Sequence, residues 1–346
     1  CIKRISTIQD AGFPIKVYGF LTEGYTENLK NIPFQIHETI NREQSASKIN
    51  KVLLFRSTIK RILKENKQNC IFYFFGFEIA SIAYCLGCRN YIYEEADISA
   101  TRANNNFIRR SLLSLDKQII RKSKLTILTS AGFIEYLFNN QCPKNVILQP
   151  NKLSPYFYSE QKRIGIKKEF NTEHLTFGFV GAIRYPNTIM RFAQVIGSMF
   201  PQHELHFYGA ATDHSYIDPI VNIHKNVFFH GPFRNPVDLP SIYENIDISI
   251  ACYDTTSENV KIAEPNKLYE SIYFETPLVV SSETFLARQV EKYDIGFCID
   301  ASNDDSISNF ITQINISQLQ HASKNMHAIA YKELVDSPKI LIEYVA

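Results

Sequence analysis

Residues 263–282 read AEPNKLYESIYFETPLVVSS. The first half sets a proline, an amide, a base and an acid at the start of a helix. The second half, ETPLVVSS, has the short continuous apolar run of a strand buried on both faces. Strands of that kind belong to parallel sheets covered by helices, and such sheets bind ligands outside the carboxyl ends of their strands. The stretch therefore predicts a fold class and also the place in the fold where chemistry belongs.

The same rhythm recurs on both sides of it. LTFGFVGAI (175–183), ELHFYGA (204–210), NVFFHGP (226–232), DISIACY (247–253), PLVVSS (277–282) and GFCID (296–300) are β-rich runs separated by segments of helical period. An earlier block alternates in the same way through IKVYGF (15–20), FQIHETI (34–40), IFYFFGF (71–77), YIYEEAD (91–97), LTILTS (125–130) and NVILQPN (145–151). Strands alternating with helices indicate one mainly parallel sheet per block. The expected fold is α/β, with two Rossmann-like doubly wound domains facing a cleft. Their boundaries fall at 1–155 and 174–315, with a linker at 156–173, where mixed charge and no clear period interrupt the rhythm. Helices over 316–346 are expected to return to the first domain. The chain opens at Cys1 with CIKRISTIQDAGF, whose Ile2, Ile5 and Ile8 recur at helical spacing up to Gly12. The chain is thus expected to start inside a helix, with the first strand of its N-terminal domain missing.

A chain of 346 residues, 45% of them hydrophobic, holds enough apolar material for two ordinary cores. It has no run of about 18 uninterrupted apolar residues, and its start lacks the order of a signal peptide, so a cytoplasmic location is expected. Seven cysteines fit a reduced compartment. Cys85 and Cys88 form a lone CxxC, read as coincidence at the end of a buried helix. The net charge of +2 hides an asymmetry, because bases outnumber acids in residues 1–150 and acids outnumber bases in the remainder.

The basic excess concentrates in NNNFIRRSLLSLDKQIIRKSK (104–124). There Phe107, Ile108, Leu112, Leu115 and Ile119 would form one helix face, and Arg109, Arg110, Lys117, Arg121 and Lys122 much of the rest. Such a helix either lies on an anionic membrane surface or packs on a sheet by its apolar stripe. No binding motif or aromatic platform accompanies the charge, so nucleic acid is not an expected partner. GxGxxG and Walker-type loops are both absent from the sequence.

The polar stretch YDTTSENVKIAEPNKLYES follows the fourth strand of the second block. Pro265 suits the first position of a helix, whose free N–H groups and positive end suit a phosphate. Lys267 adds a charge, and Glu270, one turn on, can accept hydrogen bonds from the vicinal hydroxyls of a ribose. A second reading stands beside this one. Lys267 and Glu270 would form a surface pair at i, i+3, and Asn266 would cap the turn.

EPNKLYES followed by ETPLVVSS resembles the nucleotide-sugar site of GT-B glycosyltransferases, particularly the group related to family GT4. GFVGAIRYPNT (178–188) likewise resembles the first strand and loop of their C-terminal domain. The resemblance covers 174–300 well and the N-terminal half more loosely, through YIYEEAD, ILTSAGF and LQPN. It implies a GT-B fold with an acceptor-side domain at 1–155 and a nucleotide-sugar-binding domain at 174–315. It implies that Glu270 binds the donor ribose and Arg184 the donor diphosphate, with Lys267, Asn266 and Pro265 at the same site. The substrate implied is a UDP-, GDP- or dTDP-sugar.

Two departures narrow what the resemblance carries over. The family's frequent first glutamate, eight positions before Glu270, is here Ile262, and Glu264 lies nearby at a different spacing. A Lys often found after the diphosphate Arg is absent, and Arg191, the available base, is read as a solvated helix residue. The diphosphate leaving group calls for positive charge rather than covalent help. No metal or other cofactor is expected, since Asp304 and Asp305 fall at a late helix start. An inverting transfer would need a base from the first domain, for which Glu95 and Asp97 in YEEADIS are the candidates. Phe233 in HGPFRN is the candidate on the nucleobase side.

The expected function is a metal-independent, retaining hexosyl transfer from a nucleotide-diphosphate sugar to a glycan or lipid-linked acceptor in polysaccharide biosynthesis. It would take place in the cytoplasm or on the inner membrane face. The alternatives are a nucleotide-sugar epimerase of the same architecture and a non-catalytic glycan-binding or scaffold relative.

Overall fold

The computed structural model describes residues 2–22, 32–42, 47–66, 70–163, 169–183, 186–211, 213–337 and 339–345. The chain divides into two compact units. The first comprises Cys1–Thr129, Ile134–Gln149 and Ser337–Ala346, and the second Ser130–Phe133 and Pro150–Asp336.

The first unit runs α1 (Ile2–Asp10), β1 (Val17–Thr22), β2 (Ile36–Arg42), α2 (Lys48–Glu65), β3 (Phe72–Phe75), α3 (Phe77–Cys85), β4 (Tyr91–Glu95), α4 (Asn106–Lys122), β5 (Leu125–Leu128), α5 (Ala131–Phe138) and β6 (Val146–Leu148). β3, β4, β5 and β6 pair in that order, all parallel. β1 and β2 form a separate parallel pair, so the single sheet expected for this block is two. The physical difference is burial: β4 is buried at every position, whereas β1 is only half-buried over Val17–Leu21. Two tyrosines tie β4 to α4. The Tyr91 hydroxyl donates to the Ile119 carbonyl at 2.7 Å and the Tyr93 hydroxyl to Asp116 at 3.2 Å.

α4 begins where Asn105 accepts hydrogen bonds from the amides of Phe107 and Ile108. The single apolar face expected for it is split. Ile119 is buried and Leu112 and Leu115 are half-buried, while Phe107 and Ile108 stand exposed in the first turn. Arg110, Arg121 and Lys122 are exposed.

The second unit runs β7 (Thr176–Val180), α6 (Pro186–Met199), β8 (Glu204–Tyr208), α7 (Ile217–Ile223), β9 (Val227–Gly231), α8 (Leu239–Glu244), β10 (Ile248–Ala251), α9 (Glu258–Ile262), α10 (Lys267–Tyr273), β11 (Leu278–Ser281), α11 (Phe285–Tyr293), β12 (Gly296–Ile299), α12 (Asp304–Gln313), α13 (Ile316–Ala328) and α14 (Tyr331–Leu334). Its six strands are all parallel, in the order β12-β11-β10-β7-β8-β9. By position in the unit this is the doubly wound order sixth, fifth, fourth, first, second, third, with its topological switch between β7 and β10.

Both faces of this sheet are covered, which is why its central strands β7 and β10 are mostly apolar. Phe177, Phe179, Leu205, Phe207, Ile248 and Ile250 face one core, shared with α6 and α12. Val180, Ala251, Leu278 and Val280 face the other, shared with α8, α10, α11 and α13. Within 156–173, Tyr158 and Phe170 are buried in these two cores. α15 (Lys339–Val345) belongs to the first unit, where Leu341 packs with Ile92, Leu125 and Ile127. Among the described residues no helix is long and apolar enough to cross a membrane.

Candidate functional site

The switch point of the second sheet is built on glycine. β7 ends at Gly181, whose φ of 142° disfavours any residue with a side chain. Its amide donates to the Tyr208 carbonyl at 2.7 Å. At Gly209 a β-carbon would lie 1.9 Å from the Gly181 oxygen, so the two strand ends approach backbone to backbone. A β-carbon on Gly181 would sit 3.0 Å from both Cε and Nζ of Lys267. The Lys267 ammonium therefore lies directly over the carboxyl end of the central strand.

Lys267 opens α10, a helix of seven residues, all of them buried. Helix formation there places Glu270 one turn on, and its carboxylate meets the Lys267 ammonium at 3.3 Å with both side chains buried. The Asn266 amide donates to the same carboxylate at 2.6 Å and the Tyr243 hydroxyl, from α8, at 3.3 Å. The surface pair of the second reading is thus an interior one. Leaving either member of a buried ion pair without its partner is costly, and these two are held together by two further donors. Asn266 does not cap the helix, because its side chain is taken up by Glu270. Pro265, expected at the first helical position, stands two residues before α10. The missed member is Tyr243, which lies 27 residues from Glu270 in sequence and carries no motif; burial and the neighbouring Glu270 push its hydroxyl well above the ordinary range.

The remaining expected residues lie as follows. Arg184 falls outside the described residues. Glu264 is buried, and the Tyr269 hydroxyl donates to its carboxylate; burial raises its pKa and that hydrogen bond opposes the rise. Ile262, at the position of the absent glutamate, accepts a hydrogen bond on its carbonyl from Ser130 at 2.6 Å. Phe233 is half-buried against the α8 side of the sheet. Arg191 is exposed on α6 and pairs with Asp304 of α12 at 2.8 Å. Cys85 is exposed at the end of α3 and Cys88 is buried beyond it.

In the first unit the two acids at the end of β4 differ. Asp97 is half-buried and pairs with Arg102 at 3.1 Å. Glu95, expected at an open strand end, is fully buried, and neither of its oxygens has a hydrogen bond of normal geometry. Burial, with Asp116 beside it, pushes its carboxyl well above the usual range. Both oxygens are sealed from solvent, so Glu95 is not placed to reach a substrate hydroxyl. The pattern of alternating side chains turned Glu94 the other way, toward Arg4 at 3.4 Å and the Tyr73 hydroxyl at 2.5 Å.

The family model for glycosyl transferases group 1 matches residues 160–333, half of the chain and most of the second unit. The succinoglycan biosynthesis protein ExoL of Rhizobium meliloti (strain 1021) is 23% identical over 238 residues, which are 67% of this chain and 59% of that protein. The matched part thus spans less than two thirds of that relative. Among solved structures, sucrose-phosphate synthase from Thermosynechococcus elongatus superposes with a TM-score of 0.71 at 14% identity, covering 97% of this chain and 88% of its own. Anabaena HepE in complex with UDP and glucose does so with 0.67 at 13%, covering 99% and 93%. WaaG, a glycosyltransferase involved in lipopolysaccharide biosynthesis, gives 0.66 at 13%, covering 100% and 94%.

Proposed function

Because the chain belongs to the glycosyl transferases group 1 and has the GT-B fold, we propose that it moves a sugar from a nucleoside-diphosphate sugar to a glycan or lipid-linked acceptor in polysaccharide biosynthesis. The observation that carries this reading is the buried Lys267–Glu270 pair at the carboxyl end of β7, with the Lys267 ammonium over Gly181. A cation at a sheet switch point suits a diphosphate, and a carboxylate one helical turn away suits a ribose. The complexes of HepE with UDP and with UDP-glucose support a nucleotide sugar as the donor class. α10 is short, so the site rests on side chains rather than on a helix end.

A carboxylate offers about four acceptor positions, and three donors already occupy Glu270. One ribose hydroxyl fits without rearrangement, and a second requires Asn266 to release its bond. Lys267, together with Arg184, offsets charge on the departing diphosphate. Transfer in this scheme proceeds without a metal: Asp304 is already committed to Arg191. It retains anomeric configuration, since Glu95 is sealed and no protein base is required of it. Asp97, half-buried after β4, would serve as base only in an inverting transfer.

The acceptor side lies at the first domain, residues 1–155, and the helix within 104–124 is proposed to approach an anionic membrane surface through Phe107 and Ile108. The test is turnover of a panel of UDP-, GDP- and dTDP-sugars by the full chain, with and without lipid extract as acceptor. Release of nucleoside diphosphate with a sugar appearing on the acceptor, its anomer read by NMR, supports the reading. Isomerised donor without transfer points to an epimerase, and donor left intact under every condition sinks the reading.

A further inference from the structure

The two oxygens of Glu270 are not equivalent. Oε2 accepts from the Lys267 ammonium and from the Tyr243 hydroxyl, each at 3.3 Å, and Oε1 accepts from the Asn266 side-chain amide at 2.6 Å. Each carboxylate oxygen offers about two lone-pair positions. Among the described residues Oε2 is therefore filled, and Oε1 keeps one position open. Burial sorts the three donors in the same way, since Tyr243 and Lys267 are buried whereas Asn266 is only half-buried. The side of the carboxylate that a ligand reaches is thus the Oε1 side, and Asn266 stands on it.

The backbone holds Asn266 in that place. The Glu270 amide donates to the Asn266 carbonyl at 3.0 Å, an i, i+4 bond that sets the two side chains on one helix face. A ribose brings two vicinal hydroxyls to such a carboxylate. The first takes the open position on Oε1 and gains a charge-assisted hydrogen bond. The second meets the Asn266 amide, and displacing it exchanges one hydrogen bond to the carboxylate for another, with little net gain.

We propose that Asn266 is a specificity-determining residue: it makes the site read one ribose hydroxyl and tolerate loss of the other, so that one deoxyribose form of the nucleotide is accepted beside the ribose form. This deepens the reading of Glu270 as a ribose acceptor and rests on it. The full chain is titrated calorimetrically with UDP and GDP, and then with the 2′-deoxy and 3′-deoxy forms of whichever binds.

The two deoxy forms are expected to differ. One should bind within about threefold of the parent nucleotide, and the other, lacking the hydroxyl that Oε1 accepts, about ten- to hundredfold more weakly. Asn266→Ala opens the second position on Oε1, so the tolerated analogue should then bind about tenfold more weakly than its parent. A merely structural role for Asn266 would weaken all three ligands alike, and ratios left unmoved by the substitution overturn the proposal. Should that variant fail to fold, the wild-type comparison decides alone. A loss of about tenfold or more with both analogues overturns the proposal and leaves Glu270 as a ribose acceptor. No loss with either removes Glu270 from the ribose, and the proposal with it. Absence of binding by both UDP and GDP removes the nucleotide site itself.

Discussion

At the scale of single residues, one carboxylate organises the second unit. Glu270 is 2% exposed and holds Lys267, Asn266 and Tyr243 around it. Hydrogen bonds to a charged group are worth about 1.5–3 kcal/mol each. Glu270→Gln, which keeps the volume, should therefore raise the donor KM about ten- to hundredfold, as initial-rate kinetics would measure. Glu270→Ala should in addition lower stability by roughly 3–5 kcal/mol in a urea titration, because it leaves the Lys267 ammonium buried without a counter-ion. Tyr243→Phe removes only the hydroxyl and should cost about 1 kcal/mol in stability, with a severalfold rise in donor KM. A Tyr243→Phe protein identical to wild type in both would remove that tyrosine from the site. Glu270 and Lys267 were legible in the sequence because they sit one turn apart in a single motif. Tyr243 was not, because only the folding of α8 onto the sheet brings it there. That the pair is interior was equally hidden: burial of all seven residues of α10 is a property of the sheet edge, not of the heptapeptide.

At the scale of elements, two junctions carry consequences. The end of β7 requires glycine at Gly181 on grounds of backbone and of space, since φ is 142° and Lys267 lies 3.0 Å from where a β-carbon would be. Gly181→Ala should cost about 1–3 kcal/mol in stability, and it should weaken donor binding by displacing the ammonium. An alanine protein with wild-type stability and wild-type donor KM would contradict the placement of Lys267.

The second junction ties β4 to α4 through Glu95, Asp116 and Tyr93. Burial pushes the Asp116 carboxyl up to about 6 and Glu95 well above the usual range. An acid whose pKa is higher folded than unfolded holds in the folded state a proton that the unfolded chain gives up. Its contribution to stability is complete below the unfolded value near 4 and is lost as pH rises through about 6 and beyond. The urea midpoint should fall across that window, and Glu95→Gln should flatten the fall; a midpoint that rises with pH there would show the two acids to be ionised. In the sequence the pair YEE announced a strand end with acids. Which acid turns inward depends on strand register and on Asp116 of a later helix, and neither is visible in the local pattern.

At the scale of the whole molecule, the alternation of strands and helices was enough to read two α/β blocks, because a strand buried on both faces is apolar at most of its positions. All twelve β-rich runs became strands. The order of the strands was not legible, nor was the separation of β1 and β2 from the first sheet, since pairing depends on contacts distant in sequence. The order matters most here: the switch between β7 and β10 turns GFVGAI and AEPNKLYES, some eighty residues apart in the chain, into neighbours. This junction is proposed to bind the diphosphate and ribose of a nucleotide. Calorimetric titration of the full chain with UDP, GDP and dTDP, beside Lys267→Met and Glu270→Gln, tests it most directly. One of the three nucleotides should bind the wild type, and each variant should bind it at least tenfold more weakly while keeping a cooperative thermal transition. Affinity left unchanged by both substitutions would contradict the claim.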